Sequence, residues 1–176
     1  MTKIIKMAML VAIATTLAAG TVSCSKKDKN QNPNYYSYGD KKFTEIAWAG
    51  YYKDTDGYEL VLSLTVPANV ANVNAELNML EVEIPNELMG QKIDLTVAHS
   101  GYGWFPYGLL KYEGEQYEWL DNNGIDLSGT NNWMKVTKNA GNNFTIEINL
   151  TSLGGKPLKC YYKGNFREQS GWIVNF

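Results

Sequence analysis

Apolar side chains recur at every second residue through most of this 176-residue chain. Tyr58, Leu60, Leu62, Leu64 and Val66 alternate with Glu59, Ser63 and Thr65. Leu80, Val82 and Ile84 alternate with Glu81 and Glu83; Ile93, Leu95 and Val97 alternate with Asp94 and Thr96. Phe144, Ile146, Ile148 and Leu150 alternate with Thr145, Glu147 and Asn149. A period of two is that of an extended strand, whose successive side chains point to opposite faces. Each segment therefore reads as a half-buried antiparallel strand, apolar inward and polar outward. No long helical pattern follows residue 24.

Turn chemistry separates these segments. Asp56-Gly57, Asn123-Gly124, Gly141-Asn142 and Gly154-Gly155 are hairpin or loop signals. A first strand is expected over about Phe43 to Tyr52, and further strands at Tyr107–Tyr112, Gln116–Leu120, Trp133–Lys138, Pro157–Lys163 and Gly171–Phe176. Residues 68–77 read as a long loop or a short helix. The expected fold is all-β, an antiparallel up-and-down barrel or a β-sandwich of about 8–10 strands. The alternation of Trp172, Val174 and Phe176 suggests a final strand closing the sheet against the first.

The N-terminus has a different character. Lys3 and Lys6 precede an uncharged apolar run from Met7 to Ala19, and small residues follow at Gly20 and Ser23. That is the layout of a signal peptide, and the run is short for a helix that must span a bilayer, which takes ~20 residues. The segment Thr21-Val22-Ser23-Cys24-Ser25-Lys26-Lys27 resembles the lipobox of bacterial lipoproteins. The resemblance implies cleavage after Ser23 and acylation of Cys24 by a diacylglycerol and a further acyl chain such as palmitate. An ordinary secretory peptide cut at the same bond and an uncleaved anchor helix stand as alternatives. Residues 25–41 are rich in Asn, Lys, Gln, Pro, Ser and Gly and read as a tether, with Tyr35, Tyr36 and Tyr38 as its exceptions. The expected organisation is a signal peptide at 1–23, a lipidated N-terminus and tether at 24–41, and one β-domain at 42–176.

Charge and cysteine content narrow the partners. The chain has 16 Lys+Arg and 18 Asp+Glu; loss of residues 1–23 removes two lysines and no acid, leaving 14 against 18. A mildly acidic domain without a basic cluster in its sequence argues against nucleic acid as a partner. With Cys24 committed to lipid, Cys160 has no disulfide partner and reads as a small buried hydrophobe.

The second half carries a further resemblance. The series Gly129-x-x-x-Trp133-x-x-Val136-x-x-x-x-Gly141-x-x-Phe144-x-Ile146-x-x-x-Leu150, then Gly155 and Tyr162-x-Gly164, resembles the closing strands of small Bacteroidota outer-membrane lipoproteins. Those domains are often calycin-like, which implies a lipocalin-type up-and-down β-fold here. The resemblance covers about residues 129–164 and the segment around Cys24. Such proteins often accompany Sus-type TonB-dependent transporters, which implies a partner complex and a role in nutrient uptake.

Residues with chemistry are sparse. His99, the sole histidine, lies beside Ser100 and Gly101, but sequence adjacency does not make a nucleophile–base pair. Glu81 and Glu83 share a strand face and read as its solvated side. Asp54-Thr55-Asp56-Gly57-Tyr58-Glu59 is too short for a calcium loop and reads as a hairpin turn. No Cys/His spacing suggests zinc, and no cofactor is indicated. The densest signal is aromatic: Tyr102, Trp104, Phe105, Tyr107, Tyr112, Tyr117 and Trp119, interspersed with glycine and Pro106. Rings held on Gly/Pro loops stack on sugars or line an apolar site, and Tyr102, Trp104, Phe105, Tyr107, Tyr112 and Trp119 are the candidate ligand or partner contacts. Core packing explains the same residues without a ligand.

The expected function is a non-enzymatic, lipid-anchored outer-membrane protein that binds a glycan or peptide, or a transporter complex, for uptake. A pure protein-interaction module and a lipocalin-like carrier of a small apolar molecule are the rivals. Surface lipoproteins of that phylum tend to carry acids just after the cysteine; here lysines dominate and Asp28 is the lone acid, so the membrane face stays open.

Overall fold

The computed structural model describes residues 33–67, 78–97, 106–113, 115–118, 128–171 and 173, without the side chains of Tyr117 and Glu118. Twelve strands are formed among these residues. In chain order they are β1 (Tyr35–Tyr38), β2 (Lys41–Phe43), β3 (Trp48–Lys53), β4 (Gly57–Ser63), β5 (Met79–Pro85), β6 (Ile93–Asp94), β7 (Tyr107–Tyr112), β8 (Glu115–Glu118), β9 (Trp133–Lys138), β10 (Asn143–Thr151), β11 (Pro157–Asn165) and β12 (Arg167–Glu168). A single 3₁₀ turn, Asn86–Leu88, accompanies them. No helix among the described residues is long and apolar enough to cross a membrane.

The strands divide into two six-stranded sheets. Sheet A has the order β2-β1-β11-β10-β9-β6, and sheet B the order β12-β3-β4-β5-β7-β8. All pairs are antiparallel except β12, which runs parallel to β3. The all-β expectation is met in its open, two-sheet form; the closed up-and-down barrel is not what forms. The chain changes sheet after β2, β5, β6, β8 and β11, so successive strands do not pair around one continuous ring. Among the described residues each sheet has two edge strands: β6 and β12 have two residues each, and β2 presents exposed Lys41 and Lys42. Both devices discourage pairing with another chain.

The alternation works as expected in β10, whose residues are buried and half-buried in strict turn. Phe144, Ile146, Ile148 and Leu150 point between the sheets, where they meet Leu60, Leu62, Leu80, Val82, Leu110, Val136 and Leu158. Asp54 makes the β3–β4 turn: its Oδ1 accepts the N–H groups of Asp56 at 2.9 Å and Gly57 at 2.8 Å. The β9–β10 turn places Gly141 at φ 62°, a left-handed conformation that glycine adopts without a Cβ clash.

Several expectations need correction: the alternation does not continue as strand beyond Ser63 or Asp94, and Val66 and Val97 are exposed. The stretch Phe43–Tyr52 is not one strand: residues 44–47 are irregular, so β2 joins sheet A and β3 joins sheet B. Of the strand expected over Gly171–Phe176, the described Gly171 and Ile173 are not extended. The edge beside β3 is instead taken by Arg167–Glu168, and the first strand pairs elsewhere.

The largest correction concerns the tether. Tyr35–Tyr38 lies within the segment whose composition reads as linker, yet it is an interior strand of sheet A. Tyr36 stands opposite Cys160, and Tyr38 opposite Leu158. Asn34 extends the ladder with its side chain, donating to the Lys163 carbonyl at 3.1 Å and accepting the Lys163 N–H at 2.9 Å. Tyr36 is fully buried, packs on Phe43 with ring centroids 5.0 Å apart, and donates its hydroxyl to the Asn78 carbonyl at 3.2 Å. Residues Asn32–Phe176 form one compact unit, so the folded domain begins well before Lys41. Cys160 is a free, buried thiol whose ionisation burial opposes.

Burying an aromatic ring of this size makes β1 a structural element. Tyr36→Ala should destabilise the domain by about 3–5 kcal/mol, measured as a shift in denaturation midpoint at unchanged slope. A cost indistinguishable from that of an exposed tyrosine would place β1 outside the cooperative unit.

Candidate functional site

Three turns meet at one end of the two-sheet stack. The β1–β2 hairpin closes through Gly39 and Asp40, since Tyr38 pairs with Lys41. The β7–β8 hairpin turns at Glu113, with Tyr112 paired to Glu115. The β10–β11 turn brings Gly155, Lys156 and Pro157, and the Pro157 carbonyl accepts the Gly39 N–H at 2.8 Å. Together they bound a groove of about 520 Å³ lined by Tyr38, Lys41, Tyr112, Glu113, Glu115 and Lys156 along with the turn residues. This lies within the usual range for ligand sites, ~300–1,000 Å³.

The groove combines aromatic faces with paired charges. Lys41 Nζ lies 3.3 Å from Glu113 Oε2 and 4.2 Å from the centre of the Tyr112 ring. Lys156 Nζ lies 5.4 Å from the centre of the Tyr38 ring. The Tyr112 ring packs on Phe43 at 4.8 Å, and Phe43 in turn packs on Tyr36. Tyr112 is thus anchored to the core through Phe43, while Lys41 and Lys156 are long and exposed. Hydrogen bonding from Tyr112, then Lys41, holds the Glu113 carboxyl below its ordinary value. The same contact with Glu113 raises the Tyr112 phenol.

Glu113 has a second distinction. It is the non-glycine residue with a left-handed backbone among the described residues, at φ 53°. Such a conformation disfavours a residue with a Cβ, and a two-residue hairpin normally fills that position with Asn, Asp or Gly. The Asn78 side chain holds it, its Oδ1 accepting the Glu113 N–H at 2.8 Å. Strained residues of this kind gather at binding sites.

A second unusual cluster lies on the opposite side of sheet B from the inter-sheet core. Glu59 faces Glu83 directly across the β4–β5 ladder, and Glu81 follows two residues before Glu83. Glu59 is 1% exposed and Glu81 0%, where the sequence reading had them solvated. They share this face with Trp48, Val61, Met79, Leu109, Lys111 and Ile173. The Trp48 indole lies over Gly50, where any Cβ would collide with it. Glu59 Oε2 accepts the Ile173 N–H at 2.7 Å. Both Glu81 oxygens are buried without a donor. Desolvation, then the charges of Glu59 and Glu83, drive the Glu81 carboxyl far up. Desolvation, then Glu59 and Asp54, push Glu83 up to about 7. When protonated, Glu81 gains an O–H that can donate to the neighbouring Glu59 carboxylate.

The single aromatic patch suggested by the sequence is divided. Tyr107 and Tyr112 sit at opposite ends of β7, and on opposite faces because they are five positions apart. Tyr107 packs with Trp48 and Leu109 beside the carboxylates, whereas Tyr112 lines the groove. Tyr102, Trp104, Phe105 and Trp119 lie outside the described residues, as do Cys24 and His99. Of the groove residues, Lys41, Glu113 and Lys156 were not singled out from sequence, and Tyr38 stood out only as an exception in the tether. Their one legible signal was the unexplained tyrosines at 35, 36 and 38. Among the described residues no group of three or more His, Cys, Asp or Glu side chains has the arrangement to hold a metal ion.

No protein-family model, curated protein or solved structure matches this chain.

The buried carboxyls set a pH dependence. A carboxyl raised in the folded state holds a proton that the unfolded chain releases. Its stabilisation is complete below the ordinary carboxylate range and is lost as pH rises through the folded value. Stability should therefore fall between pH 5 and pH 9, by about 2–4 kcal/mol, and Glu81→Gln should flatten that decline. Denaturant titrations across this range measure it; stability that rises with pH in the native chain would refute the buried-acid assignment.

Proposed function

We propose that this chain is a lipid-anchored, non-enzymatic binding domain of the outer membrane that takes a glycan or peptide in the groove between Tyr38 and Tyr112. In this reading it serves nutrient uptake beside a Sus-type TonB-dependent transporter complex. The observation that supports it is the pairing of two tyrosines with Lys41, Lys156 and Glu113 around one opening, with Glu113 held in a backbone conformation it does not favour. Flat rings offer a surface for the C–H faces of a sugar or for apolar side chains. The lysines and the carboxylate offer charged hydrogen bonds to hydroxyl, amide or carboxylate groups. The space between the sheets, which a carrier of an apolar molecule would need open, is filled by side chains such as Leu60, Leu80, Phe144 and Leu150. That favours a surface groove over a lipocalin-like interior site.

The anchor part of the proposal rests on Cys24 and the segment before it. Several acyl chains bind a bilayer durably where one binds marginally. Cys24→Ala should abolish partition into the detergent phase and remove the acyl mass; unchanged partition and mass would exclude lipidation.

The groove part is tested by binding. On a panel of glycans and peptides, Tyr112→Ala and Tyr38→Ala should each weaken binding about tenfold, roughly the worth of one aromatic contact. Glu113→Gly should raise the denaturation midpoint, by relieving the left-handed backbone, while lowering affinity. A transporter or lipoprotein recovered in stoichiometric amounts from native membranes, with no binding on the panel, would favour a pure interaction module. Ligand binding indifferent to all three substitutions would move the site elsewhere.

A further inference from the structure

We infer that the outward face of sheet A is a docking surface for an anionic lipid bilayer, so that the anchored domain lies with this sheet against the membrane. The inference rests on the lipid anchor proposed above. Ladder register places Lys42, Lys135, Lys159 and Lys163 on this face, with Tyr35, Tyr161 and Trp133 among them. Lys42 is opposite Ser37, and Ser37 is opposite Lys159. Glu147 stands between Tyr161 and Lys135, and Asp94 opposite Trp133; among the described residues these are the acids that register places on this face. Lys92 adds a further positive charge, with Nζ 4.2 Å from the centre of the Trp133 ring. Lys42 Nζ stands at the same 4.2 Å from the Tyr35 ring. The surplus of lysine runs against the acidic balance of the chain as a whole.

The chemistry fits a bilayer surface. Lysine ammonium groups are drawn to anionic headgroups within a Debye length. Tyrosine and tryptophan, apolar in body and polar at the tip, favour the interface beneath those headgroups. Lysine stems lie along apolar surface while the charge stays in water, and the Lys42–Tyr35 and Lys92–Trp133 stacks have that form. The polar remainder of the face, Thr137, Thr145, Asn149 and Ser37, is half-buried and offers no apolar patch for a protein partner.

Chain length supplies the second argument. β1 begins at Tyr35, so ten residues separate it from Cys24. Fully extended they reach about 35 Å, close to the ~30 Å width of a small domain. The domain therefore cannot drift far from the bilayer. Weak headgroup contacts become effective at the resulting local concentration. Tyr35, where the strand begins, is itself on the lysine face, and Lys26, Lys27 and Lys29 lie along the link.

Lysine footprinting on vesicles tests this. The full lipidated chain is reconstituted on phosphatidylcholine vesicles, with and without phosphatidylglycerol, and labelled with an amine-reactive reagent before mass spectrometry. Lys42, Lys135, Lys159 and Lys163 should be labelled several-fold more slowly on the anionic vesicles, and the protection should vanish at high salt. Lys53 and Lys138, which are exposed but off this face, should be unchanged. Equal labelling of the four lysines on both vesicle types, in a chain that floats with each, would overturn the docking face and leave the anchor intact. A chain that does not float with neutral vesicles would overturn the anchor, and the orientation with it. Lys135→Gln combined with Lys159→Gln and Lys163→Gln should remove the protection of Lys42 while leaving flotation on neutral vesicles unchanged.

Discussion

The pairing of β1 with β11 is the contact on which the rest of the structure depends. It joins residues more than a hundred positions apart, Tyr36 to Cys160 and Tyr38 to Leu158. Contacts of such separation carry a loop-closure cost that short hairpins avoid, and here burial of Tyr36 between the sheets offsets it. The pairing makes the N-terminal strand an interior member of sheet A. It also carries β2 to the edge and delivers Phe43 to the ring stack that ends at Tyr112. One strand thereby completes the core and forms a wall of the groove.

This shared strand links the two surfaces assigned to the molecule. On its inner side lie Tyr36 and Tyr38, and at its end Gly39 is tied to Pro157 across the groove. On its outer side lie Tyr35 and Ser37, within the lysine-bearing face. A domain lying on that face would keep the groove at one end of the stack, beside the bilayer and open to material arriving there. The carboxylates of sheet B occupy the remaining face, where burial and the neighbouring carboxylates raise Glu81 and Glu83. Sheet A thus carries exposed lysines on its outer face, whereas the carboxylates on the corresponding face of sheet B are covered.

Much of the fold is legible in the sequence because the alternation is strong where one face meets the core and the other water. β7 and β9 occupy the residues the pattern assigns to them, and the alternation locates β10 and β11. The failures have identifiable causes. Tyr35–Tyr38 is too short and too polar in its flanks to show a period, and its stability comes from the β11 ladder and from Asn34, which composition does not reveal. Glu59 and Glu81 alternate as solvated residues would, but β4 and β5 are central strands buried on both faces, and period two cannot distinguish a wet face from a covered one. The groove escaped for a related reason. Its residues come from three turns far apart in sequence, and only the fold brings Tyr38, Tyr112 and Lys156 to one opening.

Native-state hydrogen exchange at the backbone amides of Tyr35–Tyr38 tests the central pairing most directly. Because β1 lies between β2 and β11, its amides should exchange as slowly as those of β10, through global unfolding. Exchange at the rate of an unstructured chain would contradict this, since it would release β1 from sheet A and take with it one wall of the groove.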